Sequence, residues 1–403
     1  MYNTQISSMI PVGNARQRIQ SIDLLRGIVM VIMALDHTRD FFHHGSNMGA
    51  DPMDLDTTTP FFFFTRWITN FCAPVFVFLS GTSVFLFEAK GRSKKEVSLF
   101  LLTRGLWLML VEILIIVPIW EFSYNSIDFQ VIWAIGLCMV IFSAMIFLPI
   151  PVLFFIGIAI IFGHNLLDGI KIEKENFESF LWALVHERHA FPISENMRIL
   201  VAYPFLPWLG LMITGYCMGT LYTQKFPGAK RKNILLSTGI GLTILFVLIR
   251  SINIYGDIHL WEKKGNSVYT VLDFIKITKY PPSLLFMLIT IGIALVALSR
   301  LENVSNNKLS NKIAVFGKVP FFYYIAHLLV IHLSVFILFF ITGGTCLQLD
   351  ATGFNNSNLP PDFGFTLGVT YIVWIAVIVI LYFPCSWYNN YKSTHHYKWL
   401  SYL

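Results

Sequence analysis

The sequence predicts an all-α, polytopic integral membrane protein with about ten transmembrane helices in a single bundle and both termini in the cytoplasm. Three observations carry this. The 403 residues are 55% hydrophobic and only 13% charged, more apolar surface than a water-soluble core of ordinary composition hides. Apolar runs long enough to enter a bilayer recur along the whole chain. Basic residues collect in alternate short connections, the pattern that orients a polytopic protein. The net charge of +6 therefore reads as orientation and calls for no nucleic acid.

A window of about 19 residues places the spans in order. They are Leu24 to Phe42, Trp67 to Phe87, Leu99 to Trp120, Phe129 to Leu148, Pro151 to Phe162, Val201 to Tyr222, Ile234 to Ile252, Pro282 to Leu298, Val319 to Ile341 and Phe365 to Pro384. Pro149 and Pro151 separate the fourth from the fifth. Arg16 and Arg18, Lys90 to Lys95, Lys225 to Lys232 and Arg300 to Lys318 fall on one side if the spans alternate. The opposite connections hold Asp51, Asp54 and Asp56, Glu121 and Asp128, then Asp350 and Asp362. Two longer outer loops, His164 to Met197 and Ser251 to Tyr280, carry mixed charge, which long loops tolerate. The expected organisation is a cytoplasmic segment over 1–20, a transmembrane domain over 21–390 and a cytoplasmic tail over 391–403. Arg26 interrupts the first apolar run and no small-residue cleavage site follows, so that helix is expected to be kept and not removed as a signal peptide. The five cysteines are widely spaced and read as small packed residues.

The first helix holds the chemistry. At about 1.5 Å per residue, His37 lies roughly 20 Å from a start near Leu24, and ionisable groups at that depth default to function. His37, Asp40 and His44 fall at i, i+3 and i+7, on one face if the helix continues. A carboxylate, Asp36 or Asp40, beside His37 would fix its tautomer and raise its basicity, as a general base requires. His327 lies on a second apolar helix and reads either as a substrate-facing group or as a satisfied core histidine; His332 reads as structural. His43 and His44 are alternative catalytic residues. Arg26, Arg39 and Arg104 are candidates to hold a donor's phosphates or the acidic partner of His37. The acidic run Asp51 to Asp56 lacks the glycine and closing glutamate of a calcium loop, so no metal site is expected. Walker, dinucleotide, GxSxG and HExxH signatures are absent, which leaves histidine-centred group transfer.

Ile22-Asp-Leu-Leu-Arg-Gly-Ile, Leu35-Asp-His-Thr-Arg-Asp-Phe-Phe, Phe78-Leu-Ser-Gly, Tyr203-Pro-Phe-Leu-Pro-Trp-Leu-Gly and Lys279-Tyr-Pro-Pro-Ser-Leu resemble, in order and spacing, bacterial members of the heparan-α-glucosaminide N-acetyltransferase catalytic-domain family. Arg26 and His37, with ten residues between them, are also similar to the first-helix pattern of the wider transmembrane acyltransferases. The resemblance implies a multi-pass protein of the bacterial cytoplasmic membrane. Its donor would be acetyl-CoA or another acyl-CoA, a substrate and not a permanently bound cofactor, and its acceptor a sugar or envelope glycan across the membrane. It makes His37 the catalytic histidine; the animal enzymes place theirs nearer His43 or His44. A homodimer is compatible with it. The rival reading is a multispan exporter of a glycan or lipid-linked substrate, without group-transfer chemistry; a second rival is a non-catalytic membrane protein that only binds partners.

Overall fold

The computed structural model describes residues 19–47, 49–121, 125–223, 225–305, 307–346, 359–360, 363–395, 397 and 400. Arg16, Arg18, Asp350, Asp362 and most of both terminal segments lie outside the described residues. In chain order the α-helices of five residues or more are α1 (Gln20–Phe42), α2 (Pro60–Trp67), α3 (Cys72–Glu88), α4 (Lys94–Val111), α5 (Val117–Glu121), α6 (Val131–Met145), α7 (Ile150–Gly163), α8 (Phe177–Val185), α9 (Phe205–Met218), α10 (Gly228–Ile252), α11 (Ser267–Ile275), α12 (Leu284–Leu301), α13 (Lys308–Lys318), α14 (Pro320–Ile341) and α15 (Leu367–Thr394). A π turn, Glu112–Ile116, joins α4 to α5.

Helix accounts for 72% of the structure, and seven helices among the described residues are long and apolar enough to cross a membrane. They are Pro60–Glu88, Lys94–Glu121, Ile150–Leu167, Gly228–Ile252, Leu284–Leu301, Pro320–Ile341 and Leu367–Thr394. The other three expected spans are helical but fall short for identifiable reasons. α1 carries Asp23, Arg26, Asp36, Arg39 and Asp40, while α6 has 15 residues and α9 has 14. Length and apolarity alone thus select seven candidate spans among the described residues, and the other three expected spans are present as shorter or more charged helices. The expected boundary at 390 falls inside α15, which continues to Thr394.

An all-α fold also needs correction, because a three-stranded sheet of order β1-β3-β2 sits among the connections. β1 (Ser126–Phe129) pairs in parallel with β3 (Met197–Val201), and β3 pairs antiparallel with β2 (His189–Ser194). β1 is short and β2 contains Pro192, so neither shows the sustained alternation by which strands are read.

α1 is the hub, packed against α3, α12, α13, α14 and α15. The approach to α13 is at backbone distance: a Cβ on Gly317 would collide with the Asp23 carbonyl, and one on Gly27 with that of Ile313. α3 and α9 cross the same way through Gly81 and Gly215. Glu302, after α12, accepts hydrogen bonds from Ser21 Oγ (2.6 Å) and Arg231 Nε (2.7 Å). This gathers the start of α1, the end of α12 and the start of α10 on one face, together with the basic connections that flank them.

Candidate functional site

His37 projects from α1, three turns past Arg26, into a cavity of about 160 Å³ that is also lined by Asp36, Cys72, Arg104, Tyr203, Lys279 and Tyr324. Its ring is held on three sides. Trp120 meets it edge-on at 4.9 Å, Tyr324 lies 6.3 Å away, and the His327 ring stacks on it at 4.9 Å with an interplanar angle of 21°.

The expected carboxylate–histidine pair is replaced by a histidine pair. His37 Nδ1 lies 2.9 Å from His327 Nε2, and His327 Nδ1 lies 2.9 Å from the Tyr323 carbonyl oxygen. A carbonyl only accepts, so His327 carries its proton on Nδ1. With both rings neutral, His327 Nε2 then accepts from His37 Nδ1–H, and the free lone pair of His37 is on Nε2. His327 is fully buried in α14, and this chain of two bonds gives it a partner on each nitrogen.

The carboxylates are engaged elsewhere. Asp36 and His37 are consecutive, and neighbours at i and i+1 on a helix do not face each other. Asp36 instead forms an ion pair with Arg39 Nη2 (2.7 Å) and accepts from Arg66 Nη1 (3.2 Å) and Thr69 Oγ1 (2.7 Å). Asp40 pairs with Arg39 at 2.5 Å. Arg39, 2% exposed, thus spends its charge on two carboxylates of its own helix and lines neither this cavity nor the basic one described below. Arg66 carries no motif; the signal for it was a lone basic residue in an apolar, phenylalanine-rich stretch.

His43 and His44 do not line this cavity. His43 caps the end of α1, where its Nδ1 accepts from Gly45 N–H at 3.1 Å and its ring stacks on Phe62 at 4.4 Å. Burial, then His44 and Arg39, push the His43 imidazole down to about 4. His44 Nδ1 bonds the Phe365 carbonyl at 3.1 Å. His332 Nδ1 meets the Ile119 carbonyl at 2.8 Å, which ties α14 to α5.

Arg26 and Arg104 line a second, larger cavity with Asp23, Ser83, Lys90 and Lys392. Arg26 donates to Ser83 Oγ (3.1 Å) and the Gly317 carbonyl (3.2 Å) and sits 3.5 Å from Asp23. The two cavities share Phe76, Ser80, Arg104, Met139 and Pro320, so the basic face of the bundle leads to His37. At the other end, Tyr203 and Tyr280 touch through their hydroxyls at 3.3 Å, with Lys279 Nζ 5.9 and 5.1 Å from the two ring centroids. Burial raises the Tyr280 phenol, but Lys279 and Arg66 more than offset this and hold it below its ordinary value. The YPFLPWLG and KYPPSL segments thereby meet the first helix at one cavity.

This arrangement offers a neutral imidazole with one free nitrogen, walled by aromatic rings and approached through a basic passage. It is suited to taking a proton from an incoming nucleophile. The model of the family described as heparan-alpha-glucosaminide N-acetyltransferase, catalytic, matches residues 18–255, more than half of the chain. No curated protein matches the chain.

Proposed function

This chain belongs to the heparan-alpha-glucosaminide N-acetyltransferase catalytic family, and from that premise we propose that it moves an acyl group, acetyl in the simplest case, from cytoplasmic acyl-CoA to a sugar or envelope-glycan acceptor on the far side of a bacterial cytoplasmic membrane. The observation that carries this reading is the His37–His327 pair, standing where the basic cavity of Arg26, Lys90, Arg104 and Lys392 opens into the cavity of Tyr203 and Lys279. The basic side is the cytoplasmic one by the positive-inside pattern, so the donor's phosphates meet cations there.

In this mechanism His37 Nε2 accepts the proton of an acceptor amine or hydroxyl as its heteroatom attacks the thioester carbonyl carbon. The new C–N or C–O bond forms, the C–S bond breaks, and the proton passes from His37 to the CoA thiolate. His327 keeps His37 in the tautomer that leaves Nε2 basic. Asp36, Arg39, Arg66 and Asp40 form the ion-pair cluster that fixes the far end of α1 and the α2 segment around this base. Direct transfer needs one base and one encounter of donor with acceptor, which proximity in a shared cavity accelerates.

The test is purified protein with radiolabelled acetyl-CoA and a panel of amino sugars and envelope glycans. Acceptor-dependent release of free CoA, with label on the acceptor, is the expected result. A carrier would move a glycan across vesicles and release no CoA.

A further inference from the structure

We propose that Lys279 is a further catalytic residue, whose ammonium group stabilises the negative charge that develops on the acyl carbonyl oxygen during transfer. Lys279 lines the cavity of His37, and no carboxylate lies within ion-pair distance of it among the described residues. Its Nζ lies 5.9 and 5.1 Å from the ring centroids of Tyr203 and Tyr280, and its side chain hydrogen-bonds that of Tyr280. The arginines beside it differ in this respect: Arg66 pairs with Asp36, and Arg39 with Asp36 and Asp40. A half-buried cation with no carboxylate beside it is left to face an anion that appears only during the reaction, and that pairing is worth most at the transition state.

The turn that carries Lys279 is built to hold it still. Asp257, 6% exposed, accepts from Thr278 N–H (2.9 Å), Thr278 Oγ1 (2.6 Å), Ser283 Oγ (2.6 Å) and His259 N–H (2.8 Å). Ser283 N–H returns to the Thr278 carbonyl at 3.0 Å, which closes the turn over Lys279, Tyr280 and the two prolines. Gly256, at φ +94°, supplies the left-handed residue that aims its carbonyl at Leu285 N–H. Four hydrogen bonds on one carboxylate fix the approach of the lysine before substrate arrives, the preorganisation that electrostatic catalysis needs.

The acceptor heteroatom forms a bond to the carbonyl carbon while the C=O π pair moves onto oxygen, opposite the ammonium of Lys279. The acceptor's proton passes to His37 Nε2. Collapse of the oxyanion restores C=O, breaks C–S and returns the proton to the departing sulfur. Lys279 keeps its own protons throughout.

This role rests on the transferase reading, and the experiment separates the two. Isotope-edited infrared spectra of acetyl-CoA labelled with ¹³C at the thioester carbonyl are recorded on wild type, Lys279→Met and Lys279→Arg, alongside kcat and KM. Wild type is expected to shift the carbonyl band to lower frequency, with Lys279→Met losing the shift and roughly 10²–10³-fold in kcat at little change in KM, and Lys279→Arg recovering part of both. A carbonyl band unmoved by Lys279→Met, or a rise in acceptor KM with kcat retained, would overturn the assignment and leave the transferase reading standing. Failure of wild type to bind acetyl-CoA would overturn both.

Discussion

His327 holds its Nδ1 proton against the Tyr323 carbonyl, and that one bond decides which nitrogen of His37 is basic. His327→Ala is therefore expected to lower kcat by roughly 10²–10⁴-fold, the range of a general base's contribution, while acyl-CoA binding stays near wild type. Comparing kcat with donor Kd checks it. Asp36 has a different task. Asp36→Asn leaves Arg39 and Arg66 short of their shared anion, and removing one partner from such a buried cluster costs about 3–5 kcal/mol. Denaturation in detergent should register this as a lower melting temperature, with kcat per folded molecule largely kept. His43 gives stability a pH dependence. Its folded-state value, pushed down to about 4, lies below the ordinary 6.5, so the unfolded chain binds the extra proton in between. The stability is full above pH 6.5 and is lost as pH falls towards 4. His43→Gln should flatten the melting curve's pH dependence in that window.

At the scale of elements, glycine pairs and polar caps do what apolar runs alone cannot. α3 and α9 touch backbone to backbone at Gly81 and Gly215, and a methyl group at either must push the helices apart. Gly215→Ala is expected to cost about 1–3 kcal/mol or more, read as a fall in melting temperature, because overpacking such a crossing leaves no rotamer to yield. Glu112, in the π turn, accepts Trp133 N–H at 3.0 Å and so satisfies one orphan donor at the start of α6. The helices were legible because each expected span coincides with a long apolar run, and Pro151 does sit in the first turn of α7. The sheet was not legible, since β1 has four residues and pairs with a strand 72 residues away. The partner of His37 was hidden for the same reason. Asp36 and Asp40 adjoin it in sequence, yet 290 residues separate it from His327, and only the packing of α14 on α1 joins them. Lys279 was visible as part of KYPPSL, but its place beside His37 depends on the Asp257 turn, which no local pattern announces.

For the whole molecule, the consequence is two approaches to one base. The basic cavity adjoins the His37 cavity from the face that Glu302 gathers together, and the Tyr203–Tyr280 contact stands towards the long connections. The proposed transfer predicts a sidedness. Cysteines introduced at Arg92 and at Lys263 should react with impermeant thiol reagents from opposite faces, Arg92→Cys from the cytoplasmic one; labelling of both from the same face would break the topology on which transfer across the membrane depends. The most direct measurement is acyl transfer in sealed proteoliposomes loaded with labelled acetyl-CoA and given an acceptor sugar outside, wild type against His37→Ala. Label on the external acceptor is expected with wild type, and background alone with His37→Ala. Transfer at an undiminished rate by a folded His37→Ala protein would contradict it.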